Sequence, residues 1–174
     1  SAATDFYATF DSCRFKLSTP QATRFQFSGL ANYQTTGIFR NCVFETANAG
    51  QIMRAQGYGE WYFHNCANTG TSQTNVIDTA VGSSRIVMEG CDFSNGTTLI
   101  KVDADDAPHT IKFVNSKVPS SIVATTPLGI GASTLELHAC SSADHTYTYL
   151  YQDASGIVSD SESVYLTSGG SQIK

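Results

Sequence analysis

The sequence predicts an all-β fold, a single-stranded, right-handed parallel β-helix of about six coils with three strands per coil. Three observations predict this fold. A cysteine or serine recurs about every 25 residues, apolar residues precede it at a fixed spacing, and Asn, Gly or another small residue stands directly before it. A fixed period in this range is typical of solenoids, in which each unit buries its apolar face only against its neighbours.

The recurring residue, which we number position 0, is predicted to form an inward ladder along the solenoid axis. Its successive occurrences lie 29, 24, 25, 25 and 24 residues apart. The members of this core ladder are Cys13, Cys42, Cys66, Cys91, Ser116 and Cys140. Stacked strands do not supply the Cβ directions that a disulfide needs, and buried free cysteine behaves as a small hydrophobe. We therefore expect free thiols in the ladder.

A strand and a sharp bend precede each ladder residue. Positions −5 and −3 are mostly apolar, as at Trp61 and Phe63, and a spacing of two indicates a strand with alternate side chains inward. The step from −3 to 0 breaks this alternation. A bend is therefore expected at −1, where Asn and Gly tolerate left-handed backbone. An antiparallel sandwich, the alternative all-β fold, gives no reason for one register to return six times.

A third strand is expected in each coil, after a looser turn. The predicted third strands cover residues 25–27, 52–54, 75–77, 99–102, 121–123 and 147–149. We assign residues 1–155 to the parallel β-helix and residues 156–174 to a C-terminal extension, a cap or a linker to a further domain.

Charge and composition exclude some classes of function. The net charge of −5 does not suit a nucleic-acid binder, which normally presents a basic face. No apolar run approaches the roughly 18 residues that a membrane span requires, so membrane insertion is not expected. The odd number of cysteines, five, argues against a disulfide framework, and free thiols suit assembly in a reducing cytosol.

The outward positions of the strands predict a surface for a partner. Four apolar residues are expected on the solvent side of the strand before the bend, and they are Ile38, Tyr62, Val87 and Val114. A contiguous exposed apolar patch marks a binding surface or lies beneath a covering segment. Two alternatives remain: this face packs against another subunit or domain, or the chain's own loops cover it.

One acidic loop is the candidate for metal binding or catalysis. Oxygen-rich loops can bind calcium, which makes Asp103, Asp105 and Asp106 candidate ligands. Paired carboxylates can hydrolyse glycosidic bonds, which makes Asp105 and Asp106 candidate catalytic residues. The alternative is a solvated turn, because Asp favours turns. No cofactor is predicted, and the four histidines are expected at the surface.

Three tyrosines near the end of the repeats form a second candidate site. Tyr147, Tyr149 and Tyr151 alternate along the sequence and are expected to share one strand face. Tyr offers a flat apolar ring with a polar edge, so these residues suit stacking against a sugar. The alternative is that they cap the last coil, since solenoids need caps at their ends.

The segments 39–44, Phe-Arg-Asn-Cys-Val-Phe, and 90–93, Gly-Cys-Asp-Phe, resemble coils of the pectin-lyase-like β-helix superfamily. That superfamily includes polysaccharide lyases, glycoside hydrolases and trimeric spikes of bacteriophages. The motif specifies a fold and not an activity. The sequence departs from the enzymes, since it has no Gly-His-Gly and its outward rows offer no carboxylate cluster.

The resemblance implies a structural or adhesive segment of a bacteriophage virion protein, in a tail fibre, tail spike or capsid decoration. It implies a homotrimer or contacts with other virion proteins, and assembly in the host cytoplasm. The alternative is an extracellular polysaccharide-degrading or glycan-binding β-helix, with a site for a cell-surface glycan along the outward rows. Whether the chain is an enzyme stays open; if it is, a glycoside hydrolase or polysaccharide lyase is expected.

Overall fold

The computed structural model describes residues 5–17, 25–29, 34–46, 51–70, 73–79, 82–101, 109–123, 134–144, 146–153, 156–160, 165–166 and 172–173. Within these ranges the regular structure is entirely β, which confirms the predicted all-β class. No helix in them is long and apolar enough to cross a membrane.

Eighteen strands occur in the described residues. The first nine are β1 Phe6–Asp11, β2 Arg14–Leu17, β3 Phe25–Gly29, β4 Thr35–Arg40, β5 Val43–Thr46, β6 Gln51–Gly57, β7 Gly59–His64, β8 Ala67–Gly70 and β9 Gln73–Thr79. The others are β10 Ser84–Glu89, β11 Gly96–Lys101, β12 Thr110–Val114, β13 Ser121–Val123, β14 Thr134–Ser141, β15 Thr146–Asp153, β16 Gly156–Asp160, β17 Tyr165–Leu166 and β18 Gln172–Ile173.

These strands stack into a β-solenoid, an arrangement consistent with a parallel β-helix. The large sheet has the order β1-β4-β7-β10-β12-β14-β15-β16, and its first six strands pair in parallel. A three-stranded sheet has the order β2-β5-β8, and a five-stranded sheet has the order β13-β11-β9-β6-β3. The predicted third strands from residue 25 to residue 123 fall in this five-stranded sheet, except for residue 102, which lies outside the described residues.

About three turns carry a strand in each of the three sheets: β1–β3, β4–β6 and β7–β9. In the following turns the short sheet is reduced to single bridges, Ala67 to Asp92, Asp92 to Lys117 and Lys117 to Ser141. The described strands therefore establish about three complete turns. They do not establish six coils with three strands each.

A left-handed residue lies at the bend before each ladder residue, as predicted. The φ angles are 55° at Ser12, 53° at Asn41, 52° at Asn65, 63° at Gly90, 48° at Asn115 and 50° at Ala139. The backbone N–H of each of the first five bend residues donates to a carbonyl of the next turn, for example Asn41 N–H to the His64 oxygen at 2.9 Å. The bends are therefore stacked on one another and form one corner of the solenoid.

The core consists of like side chains stacked on successive strands. Phe39 stacks between Phe10 and Phe63, with ring centroids 5.1 Å and 4.9 Å away, and Phe63 is fully buried. The residues that follow in this column, Met88, Phe113 and Leu137, are also fully buried. Alternation of inward and outward residues therefore produces a continuous apolar column, as the spacing predicts.

The prediction for residues 147–149 is wrong. They lie in β15, which pairs antiparallel with β14 in the large sheet instead of forming a third strand. The physical reason is the free edge of β14, whose backbone groups need partners, and a short connection that lets the chain fold back as a hairpin. β16 joins the same sheet, so hydrogen bonding crosses the proposed boundary at residue 155. The division into two regions stays a prediction.

Replacing Ala139 by glycine is expected to stabilise the protein by roughly 0.5–1 kcal/mol. A side chain on a left-handed residue costs about 1–2 kcal/mol. This cost exceeds the roughly 0.5–1 kcal/mol of backbone entropy that a glycine loses on folding. The matched control is Ala67→Gly in the extended strand β8, which should destabilise by about 0.5–1 kcal/mol. Urea unfolding measures both variants, and a destabilised Ala139→Gly protein would contradict the strained bend.

Candidate functional site

The ladder side chains stack directly inside the corner, as predicted. Cys42, Cys66, Cys91, Ser116 and Cys140 are at most 2% exposed, and Cys13 is half-buried in the first turn. The residue after a ladder residue donates its N–H to the ladder carbonyl of the preceding turn, as Ala67 does to the Cys42 oxygen and Asp92 to the Cys66 oxygen. All five cysteines are free.

The ladder side chains hydrogen-bond backbone groups around the bend, as Ser116 and Cys91 show. The Ser116 hydroxyl accepts the backbone N–H of Cys91 at 3.1 Å and donates to the Val114 carbonyl at 2.9 Å. The Cys91 thiol occupies the same place one turn earlier, 3.4 Å from the Phe63 oxygen and 3.5 Å from the Glu89 oxygen. Position 0 therefore requires a small side chain with a polar γ atom, which cysteine and serine both supply.

Burial and mutual contact set the acidity of the thiols. Burial raises the pKa of the Cys42 and Cys140 thiols. The hydrogen bond between the Cys91 and Cys66 thiols, followed by burial, raises the pKa of Cys91, and that same bond lowers the pKa of Cys66. Cys42, Cys66, Cys91 and Cys140 are enclosed in the core, so reagents in solution have little access to their sulfurs.

Ser116→Ala is expected to cost about 1–3 kcal/mol of unfolding free energy, because it leaves the buried N–H of Cys91 and the Val114 carbonyl without this partner. Ser116→Cys introduces the thiol found at the other ladder positions and should cost less than about 1.5 kcal/mol. Denaturant unfolding compares the two variants, with the same dependence of unfolding free energy on denaturant concentration (m-value) for both. Equal costs would contradict the need for a polar γ atom at position 0.

Thiol labelling tests the burial of the ladder in the folded protein. A water-soluble aromatic disulfide reagent should react quickly with Cys13 and slowly with the other four cysteines, and with all five after denaturation. The Cys13→Ser variant should lose the fast phase. A fast phase that persists in this variant would contradict the enclosed ladder.

The outward side of the large sheet carries three parallel rows of side chains, and this surface is the candidate functional site. Row −6 contains Tyr7, Thr36, Glu60, Arg85, Thr110 and Thr134. Row −4 contains Thr9, Ile38, Tyr62, Val87, Lys112 and Glu136. Row −2 contains Asp11, Arg40, His64, Glu89, Val114 and His138. We call the three rows together the outward face.

Three of the four predicted interface residues are direct neighbours. Ile38 pairs with Tyr62 and Tyr62 pairs with Val87, and all three side chains are half-buried. Val114 pairs with Glu89 instead, so it lies in row −2 and is not part of the same strip. The apolar strip of the outward face therefore consists of Ile38, Tyr62 and Val87.

Charges of alternating sign border the apolar strip. On one side Glu60 and Arg85 are paired on neighbouring strands, and on the other side His64 Nδ1 lies 3.2 Å from a carboxylate oxygen of Glu89. The Tyr62 hydroxyl donates to Glu60 at 2.8 Å. Burial and this contact with a carboxylate raise the pKa of Tyr62. Sequence reasoning missed Glu60 and Arg85, although alternation from −4 to −6 places both outward.

A charged cluster ends the outward face at β14. Glu136 contacts His138 Nε2 at 2.9 Å and Lys112 Nζ at 3.2 Å. The hydrogen bond from His138, followed by the contact with Lys112, lowers the pKa of Glu136. The ring of Tyr149 lies against His138 with centroids 4.8 Å apart. These contacts attach β15 to the last parallel strand.

A shallow polar cavity of about 370 Å³ flanks row −6. Hydrogen-bonding groups dominate its lining, which consists of Gln34, Thr35, Gly59, Glu60, Ser83, Ser84, Arg85 and Thr110. A cavity of this size and polarity is suited to a small hydroxylated ligand.

The three tyrosines do not form the predicted platform. Tyr147 is fully buried opposite Cys140, whereas Tyr149 lies on the outward side against His138. Their alternation fails because β15 follows β14 past the bend at Ala139, where inward residues are three apart, as Leu137 and Cys140 are. Tyr147 is therefore closed to a sugar. The Tyr151 side chain lies outside the described part of the structure.

The acidic loop with Asp103, Asp105 and Asp106 lies outside the described residues, so the metal and catalytic predictions for it stay predictions. Among the residues that are described, no group of three His, Cys, Asp or Glu side chains could hold a metal ion. His109 corrects the expectation of surface histidines, since it is 1% exposed and its Nδ1 accepts the Ser84 N–H at 3.1 Å. Position −7 is inward by the same alternation as −5 and −3, and this signal was available in the sequence.

Comparison of this chain with protein-family models, with curated proteins and with solved structures finds no match. The likeness of segments 39–44 and 90–93 to β-helix coils therefore rests on those residues alone.

Proposed function

We propose that this chain is a structural segment of a virus particle, a rigid scaffold whose outward face contacts other copies or other particle proteins. The observation that supports this proposal is the unbroken parallel register of the large sheet from β1 to β14. Such a register produces a stiff column with regular side faces, which suits a spacer or an assembly surface.

The proposal includes a finer architecture of six coils with three strands each and a right-handed path. Support comes from six left-handed bends at the same position and from six parallel strands in the large sheet. In this proposal the coils after β9 have three sides like the first three turns, although only a bridge remains of their second strand.

The assignment to a bacteriophage tail fibre, spike or capsid decoration extends the likeness of the coil motifs to phage β-helices. Free cysteines support assembly in a reducing host cytoplasm. The three-fold symmetry of phage spikes rests on that likeness alone, whereas the apolar strip Ile38, Tyr62 and Val87 supports association in general.

The location is tested by immunogold electron microscopy of particles purified from the source of the gene, with an antibody raised against this chain. Gold is expected on the outer surface of a tail or capsid. Antibody absorbed with the purified chain is the control and should give no label. Label confined to the soluble fraction of the lysate would refute a virion role.

A second candidate function is glycan binding, which the polar cavity beside row −6 favours. Its lining of hydroxyl, amide, carboxylate and guanidinium groups offers donors and acceptors for a sugar. Ser83→Ala and Arg85→Ala should each weaken binding on a glycan array, whereas Thr9→Ala, outside the cavity, should not. A reducing-sugar assay tests cleavage, with Asp105→Asn and Asp106→Asn as controls. An array without binding and an assay without product would reject this candidate.

A further inference from the structure

We propose that the outward face binds a second copy of this chain across a two-fold axis parallel to the direction in which the strands stack. The proposal rests on the proposed scaffold function and names its partner. Three features of the described residues carry it: the apolar strip on row −4, the charge pattern on rows −6 and −2, and the area of the face.

The symmetry follows from the layout of the rows. A half-turn about an axis along row −4 reverses the direction of each strand but keeps it at the same level. Every strand then faces its own copy in antiparallel orientation. Row −4 meets row −4, and row −6 of one copy meets row −2 of the other. Such an interface is isologous, the form that most homodimers adopt.

The apolar strip becomes self-complementary in this arrangement. Ile38, Tyr62 and Val87 each meet the same residue of the second copy. Their side chains are half-buried in the single chain, and burial of the remainder supplies the apolar centre of the interface. The polar rows lie on either side, where an interface normally has its rim.

The charges beside the strip also become complementary. Arg85 and Glu89 lie four residues apart on β10, so each faces the opposite charge of the second copy: Arg85 meets the partner's Glu89. On β7, Glu60 meets the partner's His64, whose imidazole N–H can donate a hydrogen bond to the carboxylate. The reciprocal contacts double both pairs. A charge pattern that matches its own image across an axis favours pairing between identical copies.

In the next two levels, β12 and β14, the charge on row −4 alternates in sign along the axis. Lys112 meets the partner's Lys112, but the Glu136 carboxylate lies 3.2 Å from Lys112 in each copy. Two ammonium and two carboxylate groups therefore form one neutral cluster around the axis. This arrangement avoids a net repulsion at the charged end of row −4.

The outward face is large enough for a reversible dimer. Three rows on six strands span about 13 Å by 24 Å between Cα atoms, or roughly 600 Å² with side chains included. Two copies then bury roughly 1,200 Å², at the lower end of specific interfaces. We therefore expect a reversible dimer and not an obligate one.

A two-fold axis along the strands is the competing geometry. It also matches opposite charges, since Arg85 would meet the partner's Glu60. It would, however, set Ile38 against the partner's Lys112, which pairs an apolar side chain with an ammonium group. The axis parallel to the stacking direction keeps apolar residues together, and this difference favours it.

Sedimentation velocity over a concentration series tests the proposal on the purified chain. The wild type should show a monomer–dimer equilibrium. Tyr62→Asp should abolish the dimer, because it buries a carboxylate at the centre of the strip. Thr134→Asp, at the edge of the face, is the matched control and should leave most of the dimer intact. The melting temperature of each variant establishes that it is folded.

Charge exchange tests the axis itself. Arg85→Glu should raise the dimer dissociation constant by about tenfold or more, since both copies of the pair become repulsive. Adding Glu89→Arg should return the constant to within about threefold of the wild type, whereas adding Glu60→Arg should not. Restoration by Glu60→Arg instead would overturn the proposed axis.

The remaining outcomes are decisive as well. A monomer at every concentration, a trimer, or a dimer indifferent to Arg85→Glu would each overturn the proposal. The virion role is measured separately by gold labelling of particles. A labelled particle with a monomeric chain refutes the dimer alone, and a dimer without labelled particles refutes the virion role alone.

Discussion

The structure depends on how the backbone is satisfied at one sharp corner. A left-handed residue turns the chain there, and the N–H that follows it loses the ladder partner that a straight strand would provide. A thiol or hydroxyl from the next turn takes its place, as the Ser116 oxygen does for the Cys91 N–H. Buried backbone groups need such partners, so this contact fixes both the angle of the corner and the vertical alignment of successive turns.

Vertical alignment at the corner also organises the outside of the molecule. Because inward residues stack without a shift, outward residues at the same spacing form straight rows. The strip Ile38, Tyr62 and Val87 and the alternating charges around it exist only in that alignment. A slip of one residue would exchange the core column for the outward rows. The surface that we assign to association is therefore a direct product of core packing.

Much of the core and of the corner could be predicted from the sequence, because each repeat carries similar residue types at the same positions. The ladder, the bend residues such as Asn65 and the inward phenylalanines occupy the predicted positions. The predictions that failed, and the residues that were missed, lie at the end of the repeats or depend on pairing with a neighbouring strand. Tyr147 depends on pairing with β14, which a period cannot reveal. Val87 stands four residues before Cys91 and Val114 two before Ser116, so their separation is already visible in the spacing. The pairing of Glu60 with Arg85 emerges only when neighbouring strands are set side by side.

The change of strand direction at β15 has a consequence for the length of the column. Its buried residues Tyr147 and Leu150 fill the final layer, while its backbone occupies the edge of β14. A further parallel layer cannot be added at that edge, so growth in this direction halts at a defined level. The hairpin of β14 and β15 therefore sets the length of the parallel column. Moving it by whole repeats would lengthen or shorten the column without altering the chemistry of its sides.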